Sequence, residues 1–260
     1  MVLPAYDDAV VVVTGASTGL GRAIAVGTAQ QGARAVIVNY ASNDAEAQET
    51  ARQIAETGAE AVLAKGDVGQ EEACRQVVAA AEPFGRIDAL FNNAGTSKIA
   101  SYDDLDALSD EDFLRIYRVN VVGPYMLVRA ARTLLEASDR AAVVMTSSIA
   151  GITGGGSSIA YSASKGALNN MTKALARSLA PKIRVNAICP GFIDSPWFDK
   201  LGYHGGRGKL RDRIASTTPL QAASTPEDIA DSALFLGSKA ARHTTGETLI
   251  ADAGLHLGPS

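Results

Sequence analysis

Apolar positions along the chain fall into two kinds of run. Short blocks rich in β-branched residues, apolar almost throughout, recur at Ala9–Val13, Ala35–Asn39, Ala61–Ala64, Ile87–Phe91, Ala142–Thr146, Arg184–Ile188 and Thr248–Ala251. Continuous runs of this length suit strands buried on both faces of a sheet. Between them lie longer stretches with helical spacing. These are Leu20–Gln31, stopped at Gly32; Ala45–Glu56, ended by Gly58; Glu71–Ala81, before Pro83; a helix opening at Ser109; and Ser162–Leu179. Glycine past the last helical turn and proline beyond it are stop signals. Ser109 with Asp112 three residues on resembles a capping box, with Asp in place of Glu or Gln. Strands alternating with helices predict an α/β fold, a parallel sheet with right-handed crossovers and helices on both faces. Nothing reads as a linker or a repeat, so one domain over 1–260 is expected. The stretch Pro190–Ala223 shows no regular pattern and, at about 30 residues, is too long for an ordinary connection, which marks it as functional.

Composition narrows the class. Hydrophobic residues make up 47% and charged residues 20%, the balance of a soluble globular protein. A net charge of −4 argues against nucleic acid as a partner. No apolar run approaches the ~18 residues of a membrane span. The first residues carry no basic segment, and Asp7 and Asp8 interrupt their apolar character, so they do not read as a signal peptide. The two cysteines, Cys74 and Cys189, have no motif spacing; as inert buried thiols they fit a reducing, cytoplasmic compartment. His204, His243 and His256 form no ligand cluster, so no metal is expected and each histidine reads as structural or surface.

Three motifs carry chemistry. Thr14-Gly-Ala-Ser-Thr-Gly19-Leu-Gly21 follows the first strand and opens the first helix. A helix N-terminus offers free N–H groups and a partial positive charge, which suit a pyrophosphate. The spacing is Gly-x-x-x-Gly-x-Gly, and by itself the motif is equally a plain β–α turn. Asn92-Asn93-Ala94-Gly95 ends the fourth strand, at the sheet edge where open α/β folds bind ligands. Tyr161-Ser-Ala-Ser-Lys165 puts a phenol and an ammonium four residues apart on one helical face. A tyrosine, with an ordinary pKa near ~10, becomes a workable acid/base when a neighbouring cation favours phenolate. Alone, such a pair is usually helix surface. Ser147-Ser148, at the carboxyl end of the fifth strand, places a hydroxyl on the same edge.

Taken in order, these motifs resemble the short-chain dehydrogenase/reductase family, and the resemblance runs from Val10 to Leu257. It rests on Thr14–Gly21, Asn92–Gly95, Asn120, Ser148, Tyr161–Lys165 and Pro190-Gly191, with Gly246–Gly254 similar to the family's last strand and turn. The resemblance implies a three-layer, Rossmann-type, doubly wound parallel sheet of about seven strands in the order 3-2-1-4-5-6-7. It implies a nicotinamide-dependent oxidoreductase acting on a ketone or secondary alcohol. Tyr161 would exchange a proton with the substrate oxygen and Ser148 would hydrogen-bond that oxygen. Lys165 would hold the nicotinamide ribose and lower the pKa of Tyr161, and Asn120 would anchor a proton-relay water. The cofactor would be held by Gly15, Ser17, Thr18, Gly19, Leu20, Gly21, Asn39, Tyr40, Ala41, Ser42, Asp67, Val68, Asn93, Ala94, Gly95, Tyr161, Lys165, Pro190, Gly191 and Ile193. The Asn120 role has a local reason as well. Pro124 lacks an N–H, so the Asn120 carbonyl would lose its helical partner, which a simple kink also explains.

Finer expectations follow. Enzymes of this architecture that choose NAD usually place a carboxylate about 20 residues past the glycines. Here the second strand ends Asn39-Tyr40-Ala41-Ser42. No carboxylate is there to repel a 2′-phosphate, and Ser42 and Asn39 are candidate donors, so NADP(H) is favoured, with NAD(H) use still open because no Arg or Lys is present. Ala163, Ser164, Gly166 and Ala167 permit close helix contact, and the family resemblance implies a homotetramer. The 190–223 stretch, with Trp197, Phe198 and Tyr203 and its glycines, reads as a substrate-covering lid. Two substrate classes stay open, a free small carbonyl or alcohol and a carrier-protein thioester (a 3-oxoacyl-[acyl-carrier-protein] reductase). A docked acidic carrier needs a basic patch. The stretch Leu134–Arg140 is nearly balanced in charge, while Lys182, Arg207, Lys209, Arg211 and Arg213 argue the other way. A non-catalytic NAD(P)-binding regulator or a scaffold would not need Tyr161 and Lys165 together.

Overall fold

The computed structural model describes residues 5–201 and 206–258. Among them, seven strands form one parallel sheet: β1 (Val10–Val13), β2 (Ala35–Tyr40), β3 (Glu60–Lys65), β4 (Ala89–Asn92), β5 (Ala142–Thr146), β6 (Arg184–Pro190) and β7 (Thr248–Ala251). The order is 3-2-1-4-5-6-7, as the resemblance implies. The helices are α1 (Gly19–Gln30), α2 (Asp44–Ala55), α3 (Glu71–Ala79), α4 (Asp110–Tyr117), α5 (Gly123–Glu136), α6 (Ala150–Thr153), α7 (Ile159–Leu179), α8 (Trp197–Lys200), α9 (Arg207–Thr217) and α10 (Pro226–Gly237).

Neighbouring strand residues point to opposite faces. Val11, Val13, Val36 and Val38 therefore pack under α1 and α10 with Ile24 and Leu234. Val10, Val12, Ile37, Leu90 and Val143 pack on the other face with Leu127, Leu168 and Ile183. Both faces are covered, which is why these strands show no polar alternation. Each such side chain contributes roughly 1.5–3 kcal/mol on burial. At the amino end of the sheet the buried Asp88 carboxylate accepts from Val10 N–H (2.8 Å), Ser138 Oγ (2.6 Å), Arg86 Nε (3.0 Å) and Arg140 Nε (3.3 Å). Burial raises its pKa, but these partners together outweigh burial and the net shift is downward.

Several expectations change. The Ser109–Asp112 capping box is present. The Asn120 region is not a proline kink: residues Arg118–Val122 form one π-helical turn, with Gly123 N–H donating to the Arg118 carbonyl. α7 begins three residues early because Ser158 Oγ caps it, accepting from Tyr161 N–H at 3.3 Å. Ser164 does not offer a small surface for another subunit. It is buried and its hydroxyl bonds the Tyr161 carbonyl at 2.7 Å. The 190–223 stretch is not irregular, since it holds α8 and α9. Tyr203 and His204 lie outside the described residues, as does the Phe198 side chain. α10 was not foreseen, although Thr225 and Asp228 form a second capping box with Pro226 at the first helical position.

Candidate active site

The carboxyl edge of the sheet is built by reciprocal hydrogen bonds. Thr14 Oγ1 accepts from the backbone N–H of Asn93 and of Ala94, both at 3.0 Å. Asn93 Nδ2 donates back to the carbonyls of Thr14 (3.0 Å) and Gly15 (3.3 Å). Asn39 Oδ1 accepts from Gly15 N–H at 3.3 Å. The glycine turn is thus clamped by the ends of β2 and β4. Gly15 and Gly19 sit at φ +62° and +56°, a region that disfavours side chains. A Cβ on Gly21 would lie 2.2 Å from the Gly15 carbonyl oxygen, so only glycine lets α1 start this close to the turn.

A cleft of about 530 Å³ runs along this edge. Its walls include the predicted positions Gly15, Ser17, Thr18, Gly19, Leu20 and Gly21 on the turn. Asn39–Ser42 after β2, Asp67 and Val68 after β3, and Asn93–Gly95 after β4 continue the lining. Ser148, Tyr161, Lys165, Pro190, Gly191 and Ile193 complete the predicted set. Asn120 lies beneath, fully buried. Its side chain accepts from Thr96 N–H (2.9 Å) and donates to the Thr96 carbonyl (2.9 Å) and Ser164 Oγ (3.0 Å), so it fixes the segment after Gly95 onto α7.

At the far end Ser148 stands beside the Tyr161 phenol and favours its ionised form, while its Oγ donates to the Pro190 carbonyl at 3.4 Å and accepts from Ala150 N–H at 3.1 Å. Lys165 Nζ donates to the Thr146 carbonyl at 2.7 Å and stands 5.5 Å from the Tyr161 ring centroid. Burial pushes the Tyr161 phenol up to about 12, against a smaller lowering by Ser148. Burial pulls the Lys165 ammonium down to about 8, with nearby Cys189 opposing. Within the chain itself, then, burial sets the direction of the Tyr161 shift, and Lys165 is not among its causes. Trp197 of α8 packs on Tyr161, ring centroids 5.8 Å apart at 50°, and lines the cleft.

One expected donor is withdrawn. Asn39 is 1% exposed and its amide donates to the carbonyls of Ala64 and Gly66, both at 3.0 Å, so it has no N–H for a 2′-phosphate. Ser42 remains at the cleft wall. The cleft takes in Ser147, and also residues no motif announced: Asn43, Gly66, Thr96, Arg115, Val119, Thr146 and Ser195. Arg115 and Val119, four residues apart, share one helical face, but their spacing from Asn120 gave no signal for the cleft. Thr146 acts through its carbonyl, which a sequence does not display. His256 is structural, its ring nitrogen bonding Asp252 at 2.9 Å. Among the described residues, no group of three or more His, Cys, Asp or Glu side chains is placed to hold a metal ion. No helix among them is long and apolar enough to cross a membrane.

Comparison with known proteins decides the family. The family model described as enoyl-(acyl carrier protein) reductase matches residues 15–256. A Streptomyces violaceoruber protein named as ketoacyl reductase 2 of the granaticin polyketide synthase is 36% identical over 258 residues, covering 99% of this chain and 100% of its own. The chain belongs to the short-chain dehydrogenase/reductase family. An L-rhamnose 1-dehydrogenase (NAD(P)(+)) of a Sphingomonas species is 34% identical over 251 residues, covering 95% and 96% of the two chains. A short-chain dehydrogenase/reductase structure from Burkholderia xenovorans superposes with TM-score 0.87 at 39% identity, covering 96% and 98%. The protein is accordingly a nicotinamide-dependent oxidoreductase acting on CH–OH or C=O groups.

Proposed function

We propose that this short-chain dehydrogenase/reductase interconverts a free small ketone and its secondary alcohol, with Tyr161 as acid/base and NADP(H) preferred over NAD(H). The observation that carries the reading is one continuous cleft joining the α1 N-terminus to Ser148, Tyr161 and Lys165. A nicotinamide dinucleotide suits its donor set. The α1 N-terminus faces the cleft, the glycine turn has no bulk there, and among the described lining residues Asp67 is the one carboxylate. Gly15–Gly21 would hold the pyrophosphate, Asp67 and Val68 the adenine end, and Asn93–Gly95 with Lys165 the nicotinamide ribose. The cofactor, when bound, supplies the hydride.

The chain's own part is proton transfer and positioning. With its phenol held near 12, Tyr161 is protonated at neutral pH and is set to donate to a carbonyl oxygen in reduction. Ser148, beside that phenol in the cleft wall, would give the same oxygen a second partner. Lys165, near 8, is mostly charged at neutral pH and favours the phenolate that donation leaves behind. Asn120 keeps Thr96 and α7 in register, so the proton path of the resemblance would run past Lys165 rather than through a bare proline kink. Trp197 shields the phenol from water on the lid side.

The NADP(H) preference rests on the carboxylate-free turn Tyr40–Asn43 and on Ser42. A homotetramer through the α4–α5 and α7 faces and a cytoplasmic location complete the proposal. Both cysteines are buried free thiols, which suits a reducing compartment.

A carrier-linked substrate is the second reading, and the granaticin relative's name favours it. Against it, Arg140 is not on offer to an acidic carrier: its guanidinium bonds Asp88 and the Asp7 carbonyl and is 15% exposed. Arg207 is similarly held by Asp194 and Asp199. The test is kcat/KM for a panel of free ketones and sugars against an acetoacetyl carrier protein, with both cofactors, at low and high salt. A large, salt-sensitive advantage for the carrier-linked substrate overturns the free-substrate reading.

A further inference from the structure

Three charged side chains line the cleft among the described residues: Asp67, Lys165 and Arg115. The proposed reaction uses Lys165 and the adenine end takes in Asp67. Arg115 has no part in either. It sits on α4 one turn before Val119, and both face the cleft.

Its anchorage is specific. Arg115 Nη1 donates to Thr96 Oγ1 at 3.0 Å. Thr96 is itself fixed through its backbone at both N–H and carbonyl by the buried Asn120 amide. The guanidinium therefore stands on a rigid support one residue beyond Gly95, whose Cα side faces Lys165 Nζ. The glycine turn packs directly on the same segment, because a Cβ on Gly15 would come within 2.9 Å of the Ala94 Cα. The start of α1 and Arg115 thus line one cleft, tied together through the 93–96 segment.

The nearest carboxylate oxygen to Arg115 is Asp112 Oδ1 at 3.7 Å, beyond hydrogen-bond reach. Asp112 is already engaged by Lys98 Nζ at 2.6 Å and by the Ser109 backbone N–H at 3.2 Å. Lys98 and Arg115 share this one carboxylate, and Asp110 and Glu111 stand with it in the first turn of α4, so what distinguishes Arg115 is that, among the described residues, no carboxylate oxygen holds its guanidinium at hydrogen-bond distance. A guanidinium has five N–H donors in a planar fork, and the bond to Thr96 uses one. The Arg115 side chain is 48% exposed. Such a fork, rigidly based and facing a ligand cleft, matches the two oxygens of a carboxylate or phosphate.

We propose that Arg115 is a second anion-binding residue of the cleft, taking a phosphate or carboxylate group beside Thr96 and separately from the α1 N-terminus. The inference rests on the reading of this cleft as a dinucleotide site. The anion comes from one of two sources, the cofactor's phosphates or an acidic group on the substrate.

The experiment compares wild type with Arg115→Gln and Arg115→Lys. Circular dichroism and thermal unfolding come first, to show that each variant is folded. Calorimetric titration with ADP, adenosine and NADPH follows, then kinetics at saturating cofactor with a carboxylate-bearing carbonyl and its neutral ester. Loss of a charge-assisted fork is worth about tenfold or more in affinity. If the cofactor supplies the anion, Arg115→Gln weakens ADP and NADPH about tenfold or more and leaves adenosine unchanged. If the substrate supplies it, ADP binding holds while KM for the carboxylate rises about tenfold or more and the ester is unaffected. In either case Arg115→Lys restores part of the loss, because it returns charge without the fork. A folded Arg115→Gln variant with unchanged ADP affinity and unchanged carboxylate-to-ester preference overturns the inference. Failure of the wild type itself to bind NADPH or NADH would instead remove the dinucleotide reading on which it stands.

Discussion

Replacing Gly21 by alanine separates two demands that most helix substitutions confound. In a free helix the change is favourable by ~1 kcal/mol, because alanine is the better helix former. Here the added Cβ would lie 2.2 Å from the Gly15 carbonyl oxygen, 2.8 Å from its carbon and 2.6 Å from Asn93 Nδ2. Ordinary contact begins near 3.4 Å, so α1 and the turn must part by about 1 Å. Neither obstacle is a loose side-chain tip: one is backbone, the other an amide bonded to Thr14 and Gly15. Overpacking of this kind costs roughly 1–3 kcal/mol, which exceeds the propensity gain. A net loss of up to about 2 kcal/mol lowers Tm by up to roughly 8 °C for a chain of this size. The same displacement moves the N–H groups at the start of α1, so cofactor affinity falls by about tenfold or more. The control is Gly58→Ala, at φ +91° with open space around it. It costs backbone strain of about 1 kcal/mol or more but leaves binding unchanged. Differential scanning calorimetry and an NADPH fluorescence titration read both effects. Gly21→Ala with wild-type Tm and wild-type affinity would refute the reasoning.

Tyr161→Phe keeps the ring against Trp197 and removes the proton donor, so kcat falls at least a hundredfold while NADPH affinity stays within about twofold; retention of a tenth of kcat contradicts the assignment. Lys165→Ala lowers both turnover and cofactor affinity, and unchanged affinity by titration counts against the ribose contact. Reduction needs the protonated phenol and oxidation the phenolate, so the oxidation rate climbs with pH while the reduction rate stays level through neutrality; pH–rate profiles in both directions check this, and a reduction rate that rises steeply with pH contradicts it. Lys165 loses its proton near 8 when folded and near 10.5 when unfolded, so the unfolded chain binds the extra proton between those values. Its contribution to stability therefore improves as pH rises through that window, and denaturant titrations show it as a pH slope that Lys165→Met abolishes. Asp88→Asn leaves Arg86 and Arg140 facing an uncharged buried group, costs roughly 3–5 kcal/mol, and is read by urea unfolding.

The strand cores and the glycine turn were legible because both depend on local, one-dimensional signals. Val10–Val13 and Ala142–Thr146 are apolar throughout because α-helices cover each side of the sheet, and that pattern needs no tertiary knowledge. The order of the sheet came from the family resemblance rather than from periodicity. What escaped is where an interaction runs through backbone or through a distant partner. Asn39 looked like a phosphate donor until its amide was seen spent on Ala64 and Gly66, residues of the neighbouring edge. Ser164 looked like a subunit contact, yet it faces inward to Asn120. Pro124 signalled an interrupted helix, but the chain widens into a π turn that lets Gly123 N–H reach Arg118. α10 was announced by Thr225, Pro226 and Asp228 and was simply passed over. The altered pKa of Tyr161 depends on burial by Trp197 and α7 neighbours, which no spacing rule contains.

The central claim is that hydride moves between a nicotinamide and a carbonyl carbon in this cleft under proton control by Tyr161. NADPH deuterated at the transferring position of the ring, incubated with the purified protein and a reactive ketone panel, tests it directly by mass spectrometry of the alcohol product. The account predicts one deuterium on the carbinol carbon with wild type, and product diminished at least a hundredfold with Tyr161→Phe although that variant still binds NADPH. Unlabelled alcohol from the wild type, or labelled alcohol formed at the wild-type rate by Tyr161→Phe, would contradict it.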